Sequence, residues 1–236
     1  MKKTTILFDL DGTLIGMDQD KFIRLYFATV LDKLTALGYN AGEMYEALEK
    51  AIRATKTNDG SMTNEMRFWQ TFESEAGNAS EELKAALVSF YSNEFLAVLQ
   101  GSCTPYPRAR EILECAKSCG FRVVLATNPL FPAIATYARI RLGGMSPDDF
   151  EYVTAYENSS HCKPNPDYFT ELLSKLGITP EECVMIGNDT KDDFSAHALG
   201  IPVFILTDGL INQGNVDLND YPHGSFDELI EYIKRI

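Results

Sequence analysis

From Gly101 to the C-terminus, short apolar β-favouring runs alternate with stretches of helical periodicity, and nothing else in the sequence restricts the fold as tightly. A helix expected from about Pro107 to Ser118 leads through Gly120 into a strand at Phe121–Ala126. Further strands are expected near Tyr152–Ala155, at Cys183–Ile186 and at Val203–Leu206. The helices between them run through Ile134 and Tyr137, over Asp167–Leu176, and up to Gly200; a last helix spans Phe226 to Arg235. Short, continuously apolar strands are buried on both faces, so right-handed crossovers must join them into a parallel sheet covered by helices on each side. Residues 4–10 read as one more buried strand, delivering a turn at Asp11-Gly12.

Residues 18–99 have a different character. Phe22, Tyr26, Val30, Leu34 and Leu37 form one apolar stripe, with Ile23, Phe27 and Leu31 beside it and Gly38 as a stop. Tyr45, Leu48 and Ile52 suggest a second helix, Met66, Trp69 and Phe72 a third, and Leu83, Leu87, Phe90 and Leu96 a fourth. The expected fold is therefore α/β: a doubly wound, Rossmann-like parallel sheet formed by residues 1–16 and 100–236, with an all-helical domain inserted at 17–99.

The 236 residues carry a formal net charge of −13, which makes nucleic acid and anionic membranes poor partners. The five cysteines are irregularly spaced in a chain too large to need covalent staples, so they read as reduced core residues. Met1-Lys2-Lys3 superficially resembles the start of a signal peptide, but Asp9 and Asp11 interrupt the apolar run that follows. No stretch approaches the ~18 apolar residues of a membrane span. A cytoplasmic location is expected.

Sheets of this kind bind ligands beyond the carboxyl ends of their strands. At the first strand end stands Asp9-Leu10-Asp11-Gly12-Thr13. Asp and Gly are common turn formers, yet two acids after a buried strand incur repulsion and desolvation that a simple turn does not require. Thr127 and Asn128 follow the second strand; a hydroxyl and an amide there can hold anion oxygens, or merely cap a helix. Lys163 precedes Pro164-Asn165-Pro166. After Cys183–Ile186 comes Gly187-Asn188-Asp189-Thr190-Lys191-Asp192-Asp193, where helix N-terminal electrostatics account for Asp192 and Asp193 more readily than for Asp189.

In this order the four loops resemble the haloacid dehalogenase superfamily: D-x-D-G-T at Asp9 to Thr13, a hydrophobic run ending in Thr127, Lys163-Pro164, and the acidic cluster from Gly187 to Asp193. The helical insertion after the first strand is similar to the cap of the superfamily's first structural class, that of phosphoglycolate phosphatase and β-phosphoglucomutase. The resemblance implies a Mg2+-dependent phosphatase acting on a small phosphorylated metabolite. Asp9 would be the nucleophile, forming an aspartyl-phosphate, and Asp11 the general acid and base. Asp9, Asp189 and the Asp11 carbonyl would hold the metal. The Leu10–Gly12 turn, Thr13, Thr127, Asn128 and Lys163 would bind the phosphoryl oxygens, with Asn188 and Asp193 supporting from behind. In many relatives an Asp directly follows the glycine, whereas here Asn188 intervenes and the metal falls to Asp189. Dehalogenases of the superfamily lack an acid at the Asp11 position, which disfavours that activity. A phosphomutase and a non-catalytic regulator share the scaffold and are the alternatives; monomer and homodimer are both compatible with the sequence. Substrate-facing candidates in the cap are Lys21, Phe22, Arg24, Tyr26, Arg53, Arg67 and Trp69.

Overall fold

The computed structural model describes residues 3–77 and 80–236. Met1 and Lys2, two of the three residues of the signal-like start, lie outside them. In chain order the elements are β1 (Thr5–Phe8), β2 (Ile15–Met17), α1 (Gln19–Ala36), α2 (Ala41–Lys56), α3 (Asn64–Glu75), α4 (Glu81–Asn93), α5 (Phe95–Ser102) and β3 (Cys103–Pro105). There follow α6 (Ala109–Ser118), β4 (Arg122–Leu125), α7 (Ala133–Leu142), β5 (Tyr152–Val153), α8 (Asp167–Leu176), β6 (Cys183–Gly187), β7 (Val203–Leu206), β8 (His223–Gly224) and α9 (Phe226–Arg235).

Six strands pair in parallel in the order β5-β4-β1-β6-β7-β8. The two-residue period sorts their side chains onto two faces. Ile6 and Phe8 of β1 join Val123, Leu125, Val184 and Ile186 beneath α6 and α9. Leu7 points the other way, with Val124, Met185, Val203 and Ile205, against Tyr168, Phe169, Leu172 and Leu173 of α8. Both faces are thus apolar and covered, which is why the strands contain no polar alternation. The segment expected as a helix up to Gly200 is 310 in form over Asp193–Leu199, ended by Gly200 in the left-handed conformation.

Five helices, α1 to α5, build the insertion around their own apolar cluster, in which Phe22, Tyr26, Val30 and Leu34 meet Leu48, Phe72, Leu87 and Phe95. Asp18, Asn40, Thr63 and Ser80 each cap a helix by accepting from a backbone amide of its first turn. Several stripe assignments shift. Ile23, Leu37, Tyr45, Met66 and Leu96 are exposed, and the single fourth helix expected through Leu96 is two, broken at Glu94. Phe90 closes the buried face of α4 and Phe95 opens that of α5, so a buried phenylalanine stands on each side of the break. The chain enters and leaves the insertion through β2 and β3, which pair antiparallel with Met17 opposite Cys103.

Leu7 lies at the middle of the sheet, opposite Val124 on one side and Met185 on the other, with no exposed surface. Leu7→Ala is expected to destabilise the protein by about 2–5 kcal/mol, read as a lowered urea midpoint at unchanged slope.

Candidate active site

All four expected loops meet at the carboxyl ends of β1, β4 and β6. They line one face of a cavity of about 410 Å3, and α1 and α2 of the insertion supply the other. Asp9, Asp11, Thr127, Asn128, Lys163, Asn188, Asp189 and Asp193 all contribute to its wall.

At the centre is Lys163, a lysine with 1% of its surface exposed. Its Nζ donates to Asp193 Oδ1 at 2.7 Å and to Asp9 Oδ1 at 3.0 Å, and it lies 5.8 Å from the centre of the Tyr168 ring. Burial disfavours the ammonium, but the carboxylates of Asp193 and Asp9 outweigh that and hold its pKa above the ordinary lysine value. Burial likewise pushes the Asp9 carboxyl above the usual carboxylate range; Lys163 opposes this, while the negative charges of Asp193 and Asp11 add to it. Lys163 engages only one Asp9 oxygen, and Oδ2 accepts no hydrogen bond from the described residues.

Asp193 has a second task. Its Oδ2 accepts from the backbone amides of Asn188 and Asp189, each at 3.0 Å, folding the 187–193 loop around its own carboxylate. Gly187 is required beneath it, because a Cβ there would come within 2.0 Å of Asp193 Oδ2. The loop in turn sets Asp189. Its Oδ1 accepts from the amides of Lys191 and Asp192, and its Oδ2 from Gln213 Nε2 at 2.9 Å.

Asn188 braces the loops against each other: Thr13 donates to its Oδ1 at 2.9 Å, and its Nδ2 donates to the Gly209 carbonyl at 2.7 Å. Gly12 takes a positive φ of 91° and leaves room for that amide, which a Cβ would meet at 2.2 Å. Two expectations are corrected here, for Thr13 and for Gly12. Thr13 is fully buried and spends its hydroxyl on Asn188, so it fixes the loop and does not reach the cavity. The Gly12 amide donates to the Ile15 carbonyl and is unavailable to an anion. The Leu10 side chain belongs to the core, and only its amide can serve; the N–H groups of Leu10 and Asp11 have no acceptor among the described residues.

Thr127 uses its carbonyl to accept from Thr154 and Tyr168, leaving its hydroxyl for the cavity. Asn128 donates to the Lys163 carbonyl and to Asp192, and its buried Oδ1 has no partner.

The residue that sequence reasoning missed is Arg139. It is 2% exposed on α7, and its Nη1 donates to Asp11 Oδ2 while Nη2 donates to Thr136. Its guanidinium also lies 5.4 Å from the centre of the Phe131 ring. Asp11 Oδ1 is buried and has no partner among the described residues. The available signal was the pattern of α7: Ala135, Thr136, Arg139 and Ile140 share the buried face, so an arginine stands where the helix should be apolar. Among the cap candidates, Phe22 and Tyr26 line the cavity. Arg67 is occupied by Asn58, Asp59 and Ser61, Arg53 pairs with Glu49, and Lys21 and Arg24 do not line the cavity.

A family description of haloacid dehalogenase-like hydrolases matches residues 3–200. The chain therefore belongs to that hydrolase family. It is similar to a phosphoglycolate phosphatase of Nitrosococcus oceani, with 30% identity over 96% of this chain and 93% of the relative. It is also similar to a glyceraldehyde 3-phosphate phosphatase of Methanocaldococcus jannaschii, with 26% identity over 98% and 97%. A 2-haloacid dehalogenase from Pseudomonas syringae shares the fold, with a TM-score of 0.66 at 22% identity over 100% and 99% of the two chains. No helix among the described residues is long and apolar enough to cross a membrane.

Two outcomes are expected. Asp193→Ala removes one partner of a buried ion pair and should lower stability by about 3–5 kcal/mol, seen in thermal or urea unfolding. Arg139→Met should leave Asp11 unheld. On the expectation that Asp11 is the general acid, whose proton matters most for poor leaving groups, turnover of an alkyl phosphate should fall up to about 100-fold, and that of p-nitrophenyl phosphate far less.

Proposed function

We propose that the chain is a Mg2+-dependent phosphomonoesterase working through an aspartyl-phosphate on Asp9. The observation that carries this reading is the asymmetric Asp9 carboxylate at the cavity wall. One of its oxygens is tied to a buried lysine and the other is free of protein partners, with Asp11 two residues away on the same loop. Phosphatase relatives covering nearly the whole chain support the choice of ester.

The donor set fits a hard divalent cation. Asp9 and Asp189 offer carboxylate oxygens, and the Asp11 carbonyl is the expected third ligand. Among the described residues no three His, Cys, Asp or Glu side chains form a ready-made cluster. That suits Mg2+, which commonly binds through one or two carboxylates and keeps several waters. Six acids (Asp9, Asp11, Glu49, Asp189, Asp192 and Asp193) line the cavity against Lys56, Lys163 and Lys191. The acidic excess is of the sign that a divalent cation neutralises. When bound, the ion supplies charge neutralisation between two anions, the attacking carboxylate and the phosphate.

The chain's own groups do the rest. Lys163 fixes Asp9 through Oδ1, so Oδ2 is the attacking atom. The amides of Leu10 and Asp11, the Thr127 hydroxyl and Lys163 bind the phosphoryl oxygens. As the new P–O bond forms and the ester P–O bond breaks, Asp11 gives its proton to the departing alkoxide. Arg139 holds Oδ2 of Asp11, leaving Oδ1 as the oxygen that carries that proton. Water then attacks phosphorus, its proton passes to Asp11, and inorganic phosphate and free Asp9 are regenerated.

Hydrolysis of p-nitrophenyl phosphate should require Mg2+ and stop on chelation, recovering when the metal is restored; full activity in excess chelator would refute the metal assignment. Asp9→Asn should lower kcat by more than about 10³-fold with an unchanged circular dichroism spectrum. Wild-type turnover in that variant would remove Asp9 as nucleophile.

A further inference from the structure

The two ends of the cavity differ in character. The end at the strand tips is polar and charged. The opposite wall is built from Phe22, Ile23, Tyr26 and Phe27 of α1, Ile52 of α2, and Phe131 after β4. The polar side chains that the insertion adds are Gln19, Glu49 and Lys56. Glu49 is engaged by Arg53, and Lys56 is exposed. A small acid ester needs donors or cations for its second charge, and this wall offers only two at its exposed edge, the Gln19 amide and the Lys56 ammonium.

Behind that wall lies a second cavity of about 210 Å3, which shares Tyr26, Ile52, Leu130 and Phe131 with the first. Leu48, Phe68, Trp69 and Leu87 continue its lining, and it ends at Val88 and Ile134, both exposed at the surface. Its polar groups are largely spent within the protein. The hydroxyls of Tyr26 and Tyr91 bond to each other at 2.9 Å, and both oxygens of Glu157 accept from the Ala133 amide. Half-buried Glu65 is the remaining acid in the lining and makes an anionic occupant unfavourable.

We infer that this apolar annex receives the leaving group, and that the substrate class is the phosphate monoester of an alcohol with an uncharged aryl or alkyl body. That body is larger than the glycolate or glyceraldehyde portion for which the relatives are named. The inference rests on the phosphomonoesterase reading above. The reaction is the same hydrolysis: the ester P–O bond breaks, water supplies the oxygen that completes inorganic phosphate, and the alcohol departs with one proton. The main cavity alone falls within the ~300–1,000 Å3 of sites that enclose ligands larger than a three-carbon acid. Tyr26, Ile52, Leu130 and Phe131 line both cavities, so the annex lies directly against the apolar wall of the main one.

The test compares three esters of primary alcohols, ethyl phosphate, phosphoglycolate and 2-phenylethyl phosphate, with the full-length protein and Mg2+. The expected kcat/KM for 2-phenylethyl phosphate is higher than for either of the others by about tenfold or more. Val88→Arg, at the outer end of the annex, should raise KM for octyl phosphate more than KM for ethyl phosphate. If all three esters are hydrolysed without that preference, the substrate class is overturned while the phosphomonoesterase stands. If none is hydrolysed while p-nitrophenyl phosphate is, the substrate class is overturned; if p-nitrophenyl phosphate is not hydrolysed either, the phosphomonoesterase reading falls. The annex is then judged by calorimetry on Asp9→Asn: tighter binding of 2-phenylethyl phosphate than of ethyl phosphate, with a negative heat-capacity change, supports it, and equal affinity overturns it.

Discussion

A lysine ammonium held away from water between two carboxylates is the constraint around which this molecule is arranged. Asp193 and Asp9 together hold the Lys163 ammonium charged against its burial, Asp193 the more strongly. Those two residues come from different strand ends, β1 and β6, and the lysine from the loop before α8. The contact thus ties together three segments that meet only when the parallel sheet is correctly ordered. Because Asp193 also gathers the amides of Asn188 and Asp189, the same ion pair shapes the loop that presents the second acid. Fold and site share one electrostatic commitment.

The polar end of the cavity is accordingly over-determined, while its opposite wall is not. Thr13, Asn188 and the Gly209 carbonyl lock three loops by side-chain contacts that leave little freedom. The wall formed by α1, α2 and Phe131 is held by aromatic packing, with Phe131 edge-on to both Phe22 and Tyr26. Apolar contacts of that kind tolerate exchange of size and shape far better than a buried ion pair does. The physical asymmetry matches a division of labour between a fixed phosphoryl end and an adjustable leaving-group end.

Much of this was legible in the sequence. Continuous apolar strands at Thr5–Phe8 and Cys183–Gly187 have only one stable environment, so the parallel sheet could be read from them directly. The acids at positions 9, 11 and 189 stood out because a strand end is a costly place for charge. What escaped was of two kinds. Contacts between distant segments, such as Arg139 with Asp11 or Gln213 with Asp189, depend on where α7 and the 207–216 loop fall in space, and no local periodicity encodes that. Loop roles were also misassigned wherever a side chain or amide is consumed by a neighbour, as with Thr13 and Gly12. The break at Glu94 was missed because Leu96 was joined to the stripe of Leu83, Leu87 and Phe90, although at 3.6 residues per turn it falls on the opposite side of that helix, and it faces solvent.

The β2–β3 ribbon places the two chain crossings side by side, Met17 across from Cys103, with the Asp18 amide donating to the Ser102 carbonyl just beyond. In topological terms the whole insertion hangs from the core as the contents of a hairpin loop. Its 85 or so intervening residues close on themselves, and the sheet's continuity never passes through them. A cassette attached at two adjacent points can be lengthened, shortened or exchanged for another without re-threading the domain that bears it. The ribbon therefore separates, along the chain, the segment that walls the far side of the cavity from the segments that carry Asp9, Lys163 and Asp193.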